Sequence, residues 1–221
     1  MVPSVPRFTV SVSVVKMLIT APVDKIISGG QTGADRGGLK AAITLGIPHG
    51  GWCPKGRRAE DGTVPVCYQL QETAGRNYQT RTVRNVHDAD GTVIFACGAL
   101  EGGTLLTARV AGEAGKPCLH LDLEEVRISP EATAVRLRSW LTAHRIRTLN
   151  VAGPRESQAR GIEAAVARFL DGALRNDQPA SAYAVEDERV LTDAPYLAAA
   201  EAPPSYSRAG DRKGRRQRRR S

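Results

Sequence analysis

The sequence predicts an α/β fold: three layers, with a mainly parallel central sheet and helices on both faces. Three observations predict it. From residue 25 onward, short and nearly continuous apolar runs alternate with segments of helical length. Strands that are apolar on both sides belong to parallel sheets covered twice. Glycine-rich stretches close three of these runs and open three of the helical segments, as strand-to-helix turns do. The chain has 221 residues, enough for one domain with tails at roughly 100–200 residues per domain.

Residues 1–23 read as an N-terminal extension rich in Val, Ser, Thr and Pro, without helical period. Arg7 and the run after it have the outline of a secretory leader. Lys16 interrupts that run and no clear small-residue cleavage site follows, so a cytoplasmic protein is expected, with Met17 an alternative start. Strands are expected at Lys25–Ser28, Thr92–Ala96, Pro117–Leu123 and Thr148–Ala152, with a shorter one at Ile47–His49. Helices are expected at Asp35–Leu45, Tyr78–His87, Thr104–Ala114, Pro130–His144 and Arg160–Leu174. The domain thus spans 24–175. Beyond it, 176–204 is Ala/Pro-rich and partly acidic, and 205–221 is Arg-rich and low in complexity. Such a segment buries too little apolar surface to offset its ordering entropy. Residues 176–221 are therefore expected to be disordered, apart from one short helix near Pro195–Ala200.

Charge follows the same division. The net charge is +8, but residues 205–221 hold eight Lys/Arg against Asp211 alone, leaving a single net positive charge for all the rest. The basic character belongs to a tail that suits nucleic acid or acidic partners, not to the globule. No apolar run approaches the ~18 residues of a membrane span. The four cysteines form no CxxC pair, which excludes a zinc knuckle and suits a reducing compartment.

The glycine loops carry the functional signal. The first comprises Gly29, Gly30, Gln31, Thr32, Gly33, Ala34, Asp35 and Arg36; the second runs from Gly98 to Gly102, Gly103 and Thr104; the third contains Gly153 and Arg155. Each joins a strand end to a helix start. Three of them would share the edge of the sheet at which open α/β folds bind ligands, with helix N-termini offering free N–H groups to an anion. The pattern is neither GxGxxG nor a Walker loop. Asp35 would repel phosphate, and is expected to cap its helix or to meet a hydroxyl or a ring N–H. In His49–Gly62, four glycines, a proline and Trp52 argue against regular structure. Lys55, Arg57 and Arg58 stand there beside an aromatic ring, suited to phosphate and planar groups. The plainer reading makes Trp52 a core plug and pairs these cations with Glu60 and Asp61. On the helix at 78–87, Arg81 and Asn85 share a face and are expected to meet the ligand. Arg84 and Asp88 read as a surface pair. No metal-ligand spacing is present.

In this order, Gly29–Arg36, Ile47–Gly62, Tyr68–Thr73, Asn85–Thr92, Gly102–Thr104, Gly115–Cys118 and Asn150–Ser157 resemble the molybdenum carrier (molybdenum-cofactor carrier-like) family over roughly residues 24–174. His49–Gly62 is the most specific part. The resemblance implies a Rossmann-like fold, of the superfamily that holds the lysine decarboxylase-like phosphoribohydrolases and the DNA-processing protein DprA. It implies a homo-oligomer with a pocket at the strand ends. It implies as ligand the molybdenum cofactor (molybdopterin) or molybdate, otherwise a nucleotide, with apo-molybdoenzymes as partners. The phosphoribohydrolases carry Pro-Gly-Gly-x-Gly-Thr and then a catalytic Glu. Here Glu101–Arg109 lacks the second Gly-Thr, and Glu113 lies two turns on, beyond the reach that proton transfer needs. No catalytic residue is assigned. The alternative is a nucleotide-processing enzyme of that type, with Asp35, Glu60, Asp61 and Glu101 as its possible acids.

Overall fold

The computed structural model describes residues 23–175. The N-terminal extension, the Arg-rich tail and the helix expected near Pro195–Ala200 lie outside the described residues. Five strands form the main sheet: β1 (Lys25–Ile27), β2 (His49–Gly50), β7 (Gly91–Ala96), β8 (Cys118–Asp122) and β9 (Thr148–Ala152). Their order is β2-β1-β9-β7-β8, with every pairing parallel. The last strand among the described residues therefore lies at the centre. If β9 headed the chain, the order would read 3-2-1-4-5, the doubly wound arrangement whose ligand crevice opens where the winding reverses. Here that reversal falls between β9 and β7.

Among the described residues six helices flank the sheet: α1 (Ala34–Leu45), α2 (Tyr78–Asp88), α3 (Gly102–Glu113), α4 (Leu123–Ile128), α5 (Pro130–Ala143) and α6 (Ile162–Leu174). The two-residue period of β7 divides them. Val93 and Phe95 join the large core under α1, α5 and α6, with Leu137, Leu149, Val166 and Leu170. Ile94 and Ala96 face the other way, with Leu100 and Ala152, toward α3. All six residues of β7 are buried, and such apolar burial is the main stabilising term at roughly 25 cal/mol per Å². Phe95 meets Phe169 edge to face, with centroids 5.8 Å apart.

Local signals set the helix ends. Gly46 closes α1 in the left-handed conformation, its N–H returning to Ala42 O and Ile43 O. The Asn77 side chain caps α2 by accepting from Gln79 N at 2.8 Å. Helix α4 was not expected. Its signal was legible, because Asp122 caps it by accepting from Glu124 N and two acids fill the first turn. The same cap ends β8 at Asp122, one residue before the expected boundary.

The glycine-rich segment departs from its expectation. It takes part in two short ladders. One is a parallel pair of β3 (Trp52–Cys53) and β6 (Gln71–Glu72); the other is a hairpin of β4 (Arg58–Ala59) and β5 (Gly62–Thr63). Cys53, Val64, Tyr68 and Leu70 pack with Leu39 of α1 as a small core of their own. That burial raises the Cys53 thiol above its ordinary value. The glycines are compatible with ladders because each strand is only two residues long.

Candidate functional site

A cleft of about 950 Å³ opens over the C-terminal ends of β7 and β9, at Ala96–Cys97 and Ala152–Gly153. It is the crevice that the strand order requires. Of the expected site residues, the structure brings eight together there: Gln31, Asp35, Arg81, Gly102, Gly103, Thr104, Gly153 and Arg155. Gly153 is where two layers touch. A Cβ there would stand 2.6 Å from Phe95 O and 2.5 Å from the Ala34 side chain, so only glycine lets the third loop cross so closely.

One wall is the N-terminus of α3. Glu101 caps it without a side-chain bond, and the first helical bonds run from Thr104 N and Leu105 N to Glu101 O. The Gly102 and Gly103 amides precede that turn and have no intrahelical acceptor. Nothing stands within 4 Å of where a Cβ would sit on either glycine, so a ligand has open access to this helix end.

The floor is an ion pair. Arg81 Nη1 lies 3.1 Å from Asp35 Oδ2, and both side chains are largely buried. Burial pushes the Asp35 carboxyl above its ordinary value, while Arg81 and the Gln31 amide oppose that shift. Beside them Gln31 is 4% exposed. Its Oε1 accepts from Thr32 N at 3.1 Å and Glu60 N at 2.8 Å. Its Nε2, and the Nε of Arg81, are buried with no partner among the described residues. Arg109 and Arg155 also line the cleft. Its lining thus holds three arginines against Asp35 and Glu101, and attracts anions.

Tyr78, Arg109 and Cys97 are among the lining groups that the sequence reading did not assign to the site. Tyr78 opens α2, with Arg155 at 5.5 Å and Arg58 at 6.0 Å from its ring centroid. It stands three residues before Arg81, so helical spacing would have found it. Arg109 lies two turns after Gly102 on the same face of α3. Cys97 follows β7 directly, and no spacing marks it.

The remaining expected residues lie elsewhere, for identifiable reasons. Four amides of the first loop, from Gln31 to Ala34, are engaged within the protein. Gly33 N donates to Glu163 Oε2 and Ala34 N to Pro154 O, so the N-terminus of α1 is not the open anion site expected. Gly30 has φ +72°, and a Cβ there would meet Leu70 and Val64 rather than a ligand. Gly29 backs onto Arg81. Arg36 forms a bidentate pair with Asp61 at 2.6 and 2.8 Å. Glu60 binds Thr32 Oγ1 and Ser157 Oγ, tying the first loop to the third.

Arg57 corrects the expectation most sharply. Its guanidinium donates to the carbonyls of Val64, Pro65, Tyr68 and Leu70 at 2.9–3.1 Å. It holds its own loop together and leaves no fork for phosphate. Trp52 turns its ring under Arg84, 4.3 Å away, and donates Nε1–H to Asp88, which replaces the expected Arg84–Asp88 pair. Asn85 mimics a strand neighbour, accepting from Trp52 N at 2.8 Å and donating to Trp52 O at 3.1 Å. Lys55 stays exposed between β3 and β4, and Arg58 reaches only the rim through Tyr78.

Fold and cleft together define a Rossmann-like α/β domain with a cleft at the point where the winding reverses. Residues 26–174 match the family described as the circularly permutated YpsA SLOG family, and the chain belongs to that family. The permutation is visible in the sheet as the central strand that comes last. Among solved structures the chain is similar to a "putative molybdenum carrier protein" from Syntrophus aciditrophicus SB, with 50% identity over 70% of this chain and 97% of that one, and a TM-score of 0.67. Both findings agree with the motif resemblance. Comparison with curated proteins gives no match. Among the described residues no helix is long and apolar enough to cross a membrane, and no group of three or more His, Cys, Asp or Glu is placed to hold a metal ion.

Proposed function

We propose that this chain is a carrier that holds molybdenum as an anionic cargo, either molybdate or the phosphate-bearing molybdenum cofactor, in the cleft over β7 and β9. One observation carries the reading: the open N-terminus of α3 and the three arginines 81, 109 and 155 line a single cleft. A cleft of about 950 Å³ is within the usual range for small-molecule and cofactor sites, about 300–1,000 Å³. The name of the Syntrophus protein supports molybdenum as the cargo. The donor set fits an oxyanion, because Gly102 and Gly103 offer backbone N–H groups and the arginines offer forked N–H groups. With no side-chain metal cage among the described residues, the cargo would be held through its oxygens. Asp35 is fixed by Arg81 and serves to orient that guanidinium.

Calorimetric titration with molybdate and with phosphate tests this. A charge-assisted hydrogen bond contributes about 1.5–3 kcal/mol, so Arg109→Ala and Arg155→Ala should each weaken anion binding by about tenfold or more. Arg109 is exposed, and its loss should leave thermal stability unchanged. Wild-type affinity in both variants, or no anion binding by the wild type, would remove the cleft from this role.

A further inference from the structure

The β4–β5 hairpin carries an anion into the space between the first and third loops. Glu60 and Asp61 are its two turn residues. The Glu60 carboxylate receives three donors from the domain. Thr32 Oγ1 donates to Oε1, as does Ser157 N at 3.3 Å, and Ser157 Oγ donates to Oε2 at 2.6 Å. These donors have directions of their own. Glu156 N donates to Thr32 Oγ1 at 3.4 Å, which leaves the hydroxyl proton to point at the carboxylate. Ser157 lies in a turn closed by Gln158 N and Ala159 N on Arg155 O. Burial opposes the ionised form of Glu60, but hydrogen bonds from Ser157 and Thr32 and the charge of Arg155 together outweigh it. Two hydroxyls and a backbone amide beside an arginine make a cradle for an oxyanion, and nothing in it is specific to a side-chain carboxylate. The hairpin keeps its place by other ties. Glu60 N donates to Gln31 Oε1 at 2.8 Å, and Asp61 pairs with Arg36; both ties survive loss of the Glu60 side chain. Glu60 and Ser157 are exposed, so a solute reaches the cradle once the carboxylate leaves.

We infer that Thr32 and Ser157 form a second oxyanion site, which the chain keeps closed with its own Glu60. A free oxyanion such as phosphate and the Glu60 carboxylate exclude each other there. The carboxylate prevails because its tether gives it a high effective concentration at the cradle. Thr32, Glu60 and Ser157 stand outside the lining of the cleft, and the second site is independent of the carrier reading.

Calorimetric titration of the full chain with inorganic phosphate tests it. The wild type should take up phosphate in the cleft alone, and Glu60→Ala should bind one further equivalent. Adding Ser157→Ala to Glu60→Ala should weaken that further equivalent by about tenfold or more, as loss of a charge-assisted hydrogen bond does. Adding Arg109→Ala instead should weaken the cleft equivalent and spare the further one. If Glu60→Ala shows no cooperative thermal transition, phosphate should restore one and chloride at equal ionic strength should not; absence of that rescue overturns the inference. Phosphate binding by Glu60→Ala with a wild type that binds none would uphold the closed site and remove the cleft from the carrier role. Equal stoichiometry in wild type and Glu60→Ala, or less binding by the variant, would overturn the inference and make Glu60 a clasp between two loops.

Discussion

Arg57 shows how far a side chain's role depends on what surrounds it. A sequence can show a cation in a glycine-rich loop beside a tryptophan; it cannot show that the loop turns four of its own carbonyls inward upon that cation. Arg57 even adopts φ +48° to make these bonds, a conformation uncommon for a non-glycine residue. Arg57→Ala should therefore cost stability, about 2–3 kcal/mol from lost charged hydrogen bonds, with anion affinity little changed in the fraction still folded. Urea denaturation measures this; an unchanged midpoint with a lost ligand would return Arg57 to the site. The place of Gln31, Asp35, Arg81 and Arg155 at the cleft was legible because they lie on loops or faces whose direction the strand–helix pattern sets. Trp52, Asn85 and Arg36 were not, because each is satisfied by a residue distant in sequence.

At the scale of elements, the segment between β2 and α2 is held to the domain by carboxylates. Arg36 holds the Asp61 carboxyl below its ordinary value of 3.8. Burial pushes Glu60 up, but hydrogen bonds from Ser157 and Thr32 outweigh it and bring the carboxyl below 4.5. Folded values below the unfolded ones mean that stability is present above the ordinary carboxylate range and is lost as pH falls through the folded values. Amide exchange across residues 52–72 should thus accelerate as pH drops below about 4.5, relative to β7 and after correction for the intrinsic pH dependence. Glu60→Gln with Asp61→Asn should flatten that dependence. Equal acid sensitivity in β7 and the segment would show that these ties do not hold it. The five strands of the main sheet were readable because apolar runs bounded by glycines leave few alternatives. The ladders β3–β6 and β4–β5 were not, since two-residue strands have no periodicity to read.

For the whole molecule, the permuted order has a physical consequence. β9 and β1 are parallel neighbours, and α6 follows β9, so β9–α6–β1 would make an ordinary crossover if the chain ran that way. A circular permutant that joins residue 175 to residue 23 through a short linker and opens between α5 and β9 should fold cooperatively and keep the cleft. Thermal melting checks this, and a permutant without a cooperative transition would show that the present chain order is needed for folding. The sequence foretold the parallel sheet from its alternation, but not the central place of β9, because strand order depends on which faces meet and no local signal records it. The function proposed for this cleft is to carry an anionic molybdenum cargo. Its most direct test is native mass spectrometry with elemental analysis of the full chain purified from its own host, wild type beside the Arg109→Ala/Arg155→Ala double variant. Molybdenum bound to the wild type and lost from the double variant is the expected result. A wild type free of molybdenum, or equal loading of both proteins, would contradict the claim.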